Sequence, residues 1–217
     1  MTPFADLTPP YSTIVADPPW GYEKRSLPWS HQGKGPSYSL MALDDIKALP
    51  VADLAAEDAH LYLWAVLPML AEAVDVVRAW GFQIDTALTW CKPGPGLGAG
   101  FRGNTEHLLV ARRGFTWENP TCAKCRGRVR GAGAHCQCDR PDFRYNGEPI
   151  GVPKRSFSSV GDGTWYTAPR ASHSEKPPLF LDLVERMSPG PYLELFARNP
   201  RLGWDSWGNG YELGEAS

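Results

Sequence analysis

Ser12-Thr13-Ile14-Val15-Ala16 runs directly into Asp17-Pro18-Pro19-Trp20, and this is the stretch on which the fold turns. Its first half is apolar and β-branched over a strand's length, which predicts a buried strand. The two prolines end that strand abruptly, since neither can donate to a sheet ladder. A carboxylate, a rigid turn and a large aromatic ring therefore meet where a strand stops. In open α/β sheets, ligands bind in the crevice beyond the carboxyl ends of the strands.

Outward from this stretch the pattern alternates. Residues 39–49 carry the apolar spacing of a short helix, and His60 to Leu67 is dense enough in Leu, Trp and Val for a second buried strand. From Pro68 to Trp80 an amphipathic helix is predicted, with Leu70, Val74 and Val77 on one face and Gly81 at C′. Strands are predicted over residues 82–91 and 106–113, with a Pro- and Gly-rich loop between them. Residues 115–170 read as irregular. Ser174 is expected to cap a helix that holds Pro177 in its first turn and turns Leu179, Phe180, Leu183, Val184 and Met187 inward. Residues 191–197 read as a final buried strand. Strands alternating with helices predict an α/β, doubly wound, largely parallel sheet, in one domain spanning residues 1–217.

The group at Asp17 suits methyl transfer to an exocyclic amine. The lone pair of such an amine is delocalised into its ring, so the nitrogen is a poor nucleophile until its protons are held. Asp17 can accept one proton and the Pro18 carbonyl the other, because proline keeps its acceptor. Pro19 stiffens the turn, and Trp20 offers a face on which an unstacked base can rest.

Asp-Pro-Pro-Trp resembles the signature of the MT-A70 family of S-adenosylmethionine-dependent adenine-N6 methyltransferases. The resemblance continues in family order through Pro36-Ser37-Tyr38-Ser39-Leu40-Met41, His60-Leu61-Tyr62-Leu63-Trp64, Leu88-Thr89-Trp90-Cys91-Lys92 and Asn104-Thr105-Glu106-His107-Leu108-Leu109-Val110. It runs on through Ser172-His173-Ser174-Glu175-Lys176-Pro177 and Leu193-Glu194-Leu195-Phe196-Ala197-Arg198 to Gly208-Asn209. It implies a Rossmann-like, circularly permuted class I methyltransferase sheet, with S-adenosylmethionine as cofactor. It also implies that Asp17, Lys176, Phe196, Arg198, Asn199 and Asn209 line the cofactor pocket. Tyr38, Trp90, Lys92, Asn104 and Glu106 match positions near the acceptor nucleotide.

Composition sets the partners. Net charge is −2, so the whole chain does not advertise a polyanion. Between Cys122 and Arg155, however, eight basic residues face three acids, a balance of +5 that leaves −7 elsewhere. The same segment holds Cys122-x2-Cys125 and Cys136-x-Cys138, with His135 as an alternative donor; four thiolates at this spacing suit structural zinc. The resemblance implies that residues 115–170, which lie where permuted methyltransferases keep their target-recognition region, are an inserted Cys-rich segment of that kind, and Arg126, Arg128, Arg130 and Arg144 are expected to grip phosphates. Cys91, alone in a strand-like run, reads as a buried hydrophobe.

The longest apolar run, Leu61 to Leu70, is about half a membrane span and contains Pro68, and no targeting segment stands out; a cytoplasmic protein is expected. The expected partner is nucleic acid, DNA ahead of RNA, with a homodimer left open. A catalytically inactive nucleic-acid-binding member of the same family is the rival reading, and a cytosine-N4 acceptor a further one.

Overall fold

The computed structural model describes residues 4–21, 40–94, 96, 101–114, 163–170 and 175–208, together with the backbone of five short strands between 121 and 149. Its main sheet has seven strands, β1 (Tyr11–Ala16), β2 (Ala55–Ala65), β3 (Gln83–Cys91), β4 (Thr105–Arg113), β10 (Trp165–Thr167), β11 (Tyr192–Leu195) and β12 (Trp204–Trp207), in the order β10-β3-β4-β2-β1-β11-β12. The five short strands form two separate pieces. β5 (Thr121–Cys122), β8 (Phe143–Tyr145) and β9 (Glu148–Pro149) pair in one, and β6 (Val129–Arg130) with β7 (Gly133–Ala134) in the other.

β1 lies inside the sheet, parallel to β2 on one side and to β11 on the other. Its side chains alternate between two cores, as the pleat requires. Ile14 and Ala16 join Leu61, Leu63 and Ala65 under α1 (Leu43–Ala48) and α3 (Leu70–Ala79), where Ile46, Ala73, Val76 and Val77 are buried. Val15 joins Tyr62, Trp64, Trp90, Leu108 and Val110 on the opposite face, beneath Phe180, Leu183 and Val184 of α4 (Pro178–Met187). Both faces being covered explains why β1 and β2 read as continuous apolar runs. A four-residue helix, α2 (Val51–Leu54), leads into β2.

Helices on both faces agree with the doubly wound expectation, but the sheet is mixed. β4 is antiparallel to both β2 and β3. The reason is the connection: no helical pattern separates β3 from β4, so the chain returns beside itself rather than crossing over. Two strands of the main sheet escape the sequence reading, as do the five short ones between 121 and 149. β10 extends the sheet parallel to β3 inside a stretch read as irregular, and β12 pairs parallel with β11 at the other edge. β2 also begins five residues before His60.

Gly81 sits past the end of α3 with φ +81, as its C′ position predicts. Ser174, expected to cap α4, lies outside the described residues. The residue preceding the helix is Pro177, with no side-chain cap, and of the expected inward set Leu179 is 37% exposed. Cys91 is half-buried rather than buried.

Every strand of the main sheet except β4 points the same way, and β4 starts where β3 and β2 end. One rim of the sheet therefore gathers Asp17, Lys92, Asn104, Glu106 and Phe196. Strand order reverses beside β1, whose neighbours β2 and β11 lie far apart in sequence, so this rim carries the topological switch point of the fold.

Candidate active site

The turn after β1 is fixed by its backbone. The Trp20 N–H donates to the Pro18 carbonyl at 2.8 Å, the Met41 N–H donates to Pro19, and the Gly21 N–H donates to Met41, both at 2.9 Å. Gly21 is required here, since a Cβ at that position would lie 2.5 Å from the Met41 carbonyl oxygen. Asp17 is thus presented on a rigid support. Trp20 is not the open platform the sequence suggests: it is 6% exposed, and its indole N–H donates to the Trp64 carbonyl at 3.1 Å. The ring anchors the turn to β2.

Asp17 faces a cavity of about 370 Å³ whose wall also carries Trp64, Lys176, Glu194, Phe196 and Arg198. Lys176 Nζ lies 2.7 Å from Asp17 Oδ2 and 3.3 Å from Glu106 Oε2. Arg198 Nη2 approaches the same Asp17 oxygen at 3.9 Å. Glu106 is paired on its far side with Lys92. Burial alone would push the Glu106 carboxyl up, but the flanking ammonium groups of Lys176 and Lys92 outweigh it and hold the group below its ordinary range. The same balance in reverse keeps Lys176 above its ordinary value: burial opposes the charge, and Asp17 and Glu106 more than restore it.

Other expected residues serve this network. Trp90 is 2% exposed, its indole N–H bonds the Ala168 carbonyl at 2.9 Å, and Lys92 Nζ sits 4.6 Å from the ring centroid. Trp90 is therefore the floor under Lys92 rather than an open contact for a base. Trp64, inside the strand read as buried, is 2% exposed and yet forms part of the cavity wall, with Lys176 Nζ 5.3 Å from its ring. Asn104 locks the loop between β3 and β4: its Nδ2 donates to the Lys92 carbonyl at 3.0 Å, and its own carbonyl accepts the Lys92 N–H at 2.8 Å.

Downstream of β11 the chain makes a strained turn. Phe196 has φ +65, in the left-handed region that a bulky side chain rarely occupies. The turn is clamped to β12, where the Ala197 N–H donates to the Trp207 carbonyl at 3.1 Å. A Cβ on Gly208 would lie 2.8 Å from Ala197 N and O. This closeness sets Phe196, Arg198 and Asn199 along the cavity wall.

Glu194 is the residue that sequence reasoning missed. It projects from β11 into the cavity, and burial together with the Asp17 charge pushes its carboxyl up to about 7 against a lowering influence from Arg201. Its signal was an acid inside an otherwise apolar strand, within a block already quoted for its resemblance. Tyr38, Asn209, Cys125, Cys136, Cys138 and His135 lie outside the described residues, as does the loop over 22–39; of Cys122 only the backbone is described. Among the described residues no group of His, Cys, Asp and Glu could hold a metal ion, and no helix is long and apolar enough to cross a membrane.

The MT-A70 family model matches residues 11–122 and 151–210. Over 215 residues the chain is 26% identical to the Type II methyltransferase M.MunI of Mycoplasma sp, covering 91% of this chain and 76% of that protein. It is 28% identical to the N(6)-adenine-specific methyltransferase METTL4 of Mus musculus, with 96% of this chain and 39% of the relative covered. The N6-methyladenosine RNA methyltransferase MTA1 of Cryphonectria parasitica is also 28% identical, with 95% and 53% covered.

Proposed function

The chain belongs to the MT-A70 family, and from that premise we propose that it transfers a methyl group from S-adenosylmethionine to the N6 amine of adenine in nucleic acid. DNA is put ahead of RNA because the likeness spans about three quarters of the Mycoplasma enzyme and about half of the fungal RNA enzyme. The observation that carries the reading is Asp17 itself: a carboxylate at the switch point of the sheet, on a rigid turn, in the wall of a cavity of small-molecule size.

The cavity residues fit the cofactor. Lys176 and Arg198 can meet the carboxylate of an amino-acid tail, while Glu194 can meet its ammonium. Pro177, Pro178, Leu181 and Leu202 supply apolar wall for the adenosine part. When bound, S-adenosylmethionine supplies an electrophilic methyl group on a sulfonium. Asp17 accepts one proton of the adenine amine, and the Pro18 carbonyl, whose second lone pair remains while Trp20 holds the first, accepts the other. Held by two acceptors, the amine turns pyramidal with its lone pair toward the methyl carbon. The surplus proton leaves the product amine for Asp17 or water, so no base of raised pKa is needed.

Residues 115–170 are proposed as a target-recognition insertion within one methyltransferase domain. The family match omits residues 123–150, which supports this reading. The order of the chain, with Asp17 before the cofactor wall of Phe196 and Arg198, supports the circular permutation. Cys122, Cys125, Cys136 and Cys138 are proposed to hold a structural zinc, supported by the β6–β7 pairing of Val129 with Ala134, which folds the chain back between the two cysteine pairs. Cys122→Ser with Cys125→Ser should abolish bound zinc and weaken DNA binding; unchanged metal content would refute the assignment. A cytoplasmic location follows from the same reading.

The activity test is incubation with methyl-labelled cofactor and separate DNA and RNA pools, followed by nucleoside mass spectrometry. Label in N6-methyladenine from DNA is expected. Label only in RNA would move the substrate, and label in neither would leave the inactive binding reading in its place.

A further inference from the structure

Lys176 stands between two carboxylates, 2.7 Å from Asp17 Oδ2 and 3.3 Å from Glu106 Oε2. In this arrangement Oδ2 of Asp17 is already held by Lys176, with Arg198 Nη2 3.9 Å from the same oxygen. An ammonium is a stronger donor to a carboxylate than a neutral amine, so the base alone competes poorly for it. A buried ammonium cannot simply be released, because an unpaired charge in that position is costly. Glu106 resolves this: it stays within reach of Lys176 and is itself held from behind by Lys92. Lys176 can therefore leave Asp17 without losing every partner, provided that another anion receives it. The cavity it faces is the one proposed for the cofactor.

We propose that Lys176 is a shared contact that couples the two substrates: the carboxylate of the cofactor's amino-acid tail draws it off Asp17 Oδ2, and the freed oxygen then receives the adenine amine. Glu106 is the positioning residue that keeps Lys176 paired through the exchange. The inference rests on the methyltransferase reading above and adds an order to it, in which the nucleotide engages productively after the cofactor. Because coupling between ligands is reciprocal, adenine-bearing nucleic acid tightens the cofactor by the same factor.

The test uses the full chain, with S-adenosylhomocysteine and 5′-methylthioadenosine as probes. The second keeps the adenosine part and lacks the carboxylate. Binding of fluorescein-labelled oligo(dA) and oligo(dT) is followed by anisotropy, with each compound at saturation as judged by calorimetry. S-adenosylhomocysteine should tighten oligo(dA) roughly tenfold, within the usual range for coupled sites, while 5′-methylthioadenosine should not. Oligo(dT), which has no exocyclic amine, should respond to neither. In Lys176→Met the response of oligo(dA) to S-adenosylhomocysteine should vanish. Equal tightening by both compounds, or none although S-adenosylhomocysteine is bound, overturns the proposal, and the wild-type arms decide this even if the variant folds poorly. Absence of any S-adenosylhomocysteine binding would instead bring down the methyltransferase reading, and this proposal with it.

Discussion

Strands β2 and β4 carry a polar cluster at each end, and the two are built on different principles. At one end Arg112 donates from Nε to Asp85 at 2.8 Å, while His60 and Tyr62 each meet the Ser188 hydroxyl at 2.7 Å. Those contacts tie α4's C-terminus and β3 to the sheet. At the other end Lys176 divides itself between Asp17 and Glu106, and Glu106 between Lys176 and Lys92. The first cluster gathers its neutral groups on one hydroxyl and fills the space between elements. The second shares each group between partners, against a cavity. Paired charges hold a fold together, whereas shared ones at a cavity can exchange a partner for a ligand.

The contrast can be broken first at the closed end. Arg112→Met leaves Asp85 without its guanidinium, and should cost about 2 kcal/mol of stability, read by urea unfolding. Methyl transfer per folded molecule should not change. A comparable loss of turnover would mean that the two clusters are not separable.

Glu194 sharpens the comparison at the cavity end. Its carboxyl is raised from an ordinary 4.5 to about 7, so the folded chain holds this proton more tightly than the unfolded one. The favourable contribution is complete below pH 4.5 and is lost as pH rises towards 7. From pH 4.5 to 8 the stability of Glu194→Gln relative to wild type should therefore rise by about 3 kcal/mol. A constant difference across that range would show that Glu194 is not held in this way.

A smaller effect is expected at Gly208. In Gly208→Ala the new methyl group has backbone atoms of Ala197 2.8 Å away, with no flexible side chain to give. The turn bearing Phe196 and Arg198 must shift, weakening S-adenosylhomocysteine by roughly tenfold in calorimetry, about 1.4 kcal/mol. Unchanged affinity would show that this turn does not shape the pocket.

The sequence made the closed parts of the molecule legible and the shared parts much less so. β1 and its stop at the prolines, α3 with Gly81, and β4 all follow from local pattern, because periodicity and turn chemistry are local. β10 and β12 are three and four residues long and lie at the sheet edges, so pairing rather than apolar pattern defines them. The family blocks named Asp17, Lys92, Glu106 and Lys176, but not that they form one chain of contacts. Asp17 and Lys176 are 159 positions apart, and only the sheet brings them together. Trp20 and Trp90 misled for a related reason: an indole serves equally as a wall or as an anchor, and burial decides between them.

The central claim is that Asp17 holds the amine, and the measurement that tests it most directly is Asp17→Asn followed by paired assays of S-adenosylhomocysteine binding and methyl transfer. The substitution keeps the shape of the side chain and one acceptor, and removes the charge. Transfer to adenine should fall by roughly 10²–10³-fold, with cofactor affinity changed far less. Turnover within a few fold of wild type would contradict the account.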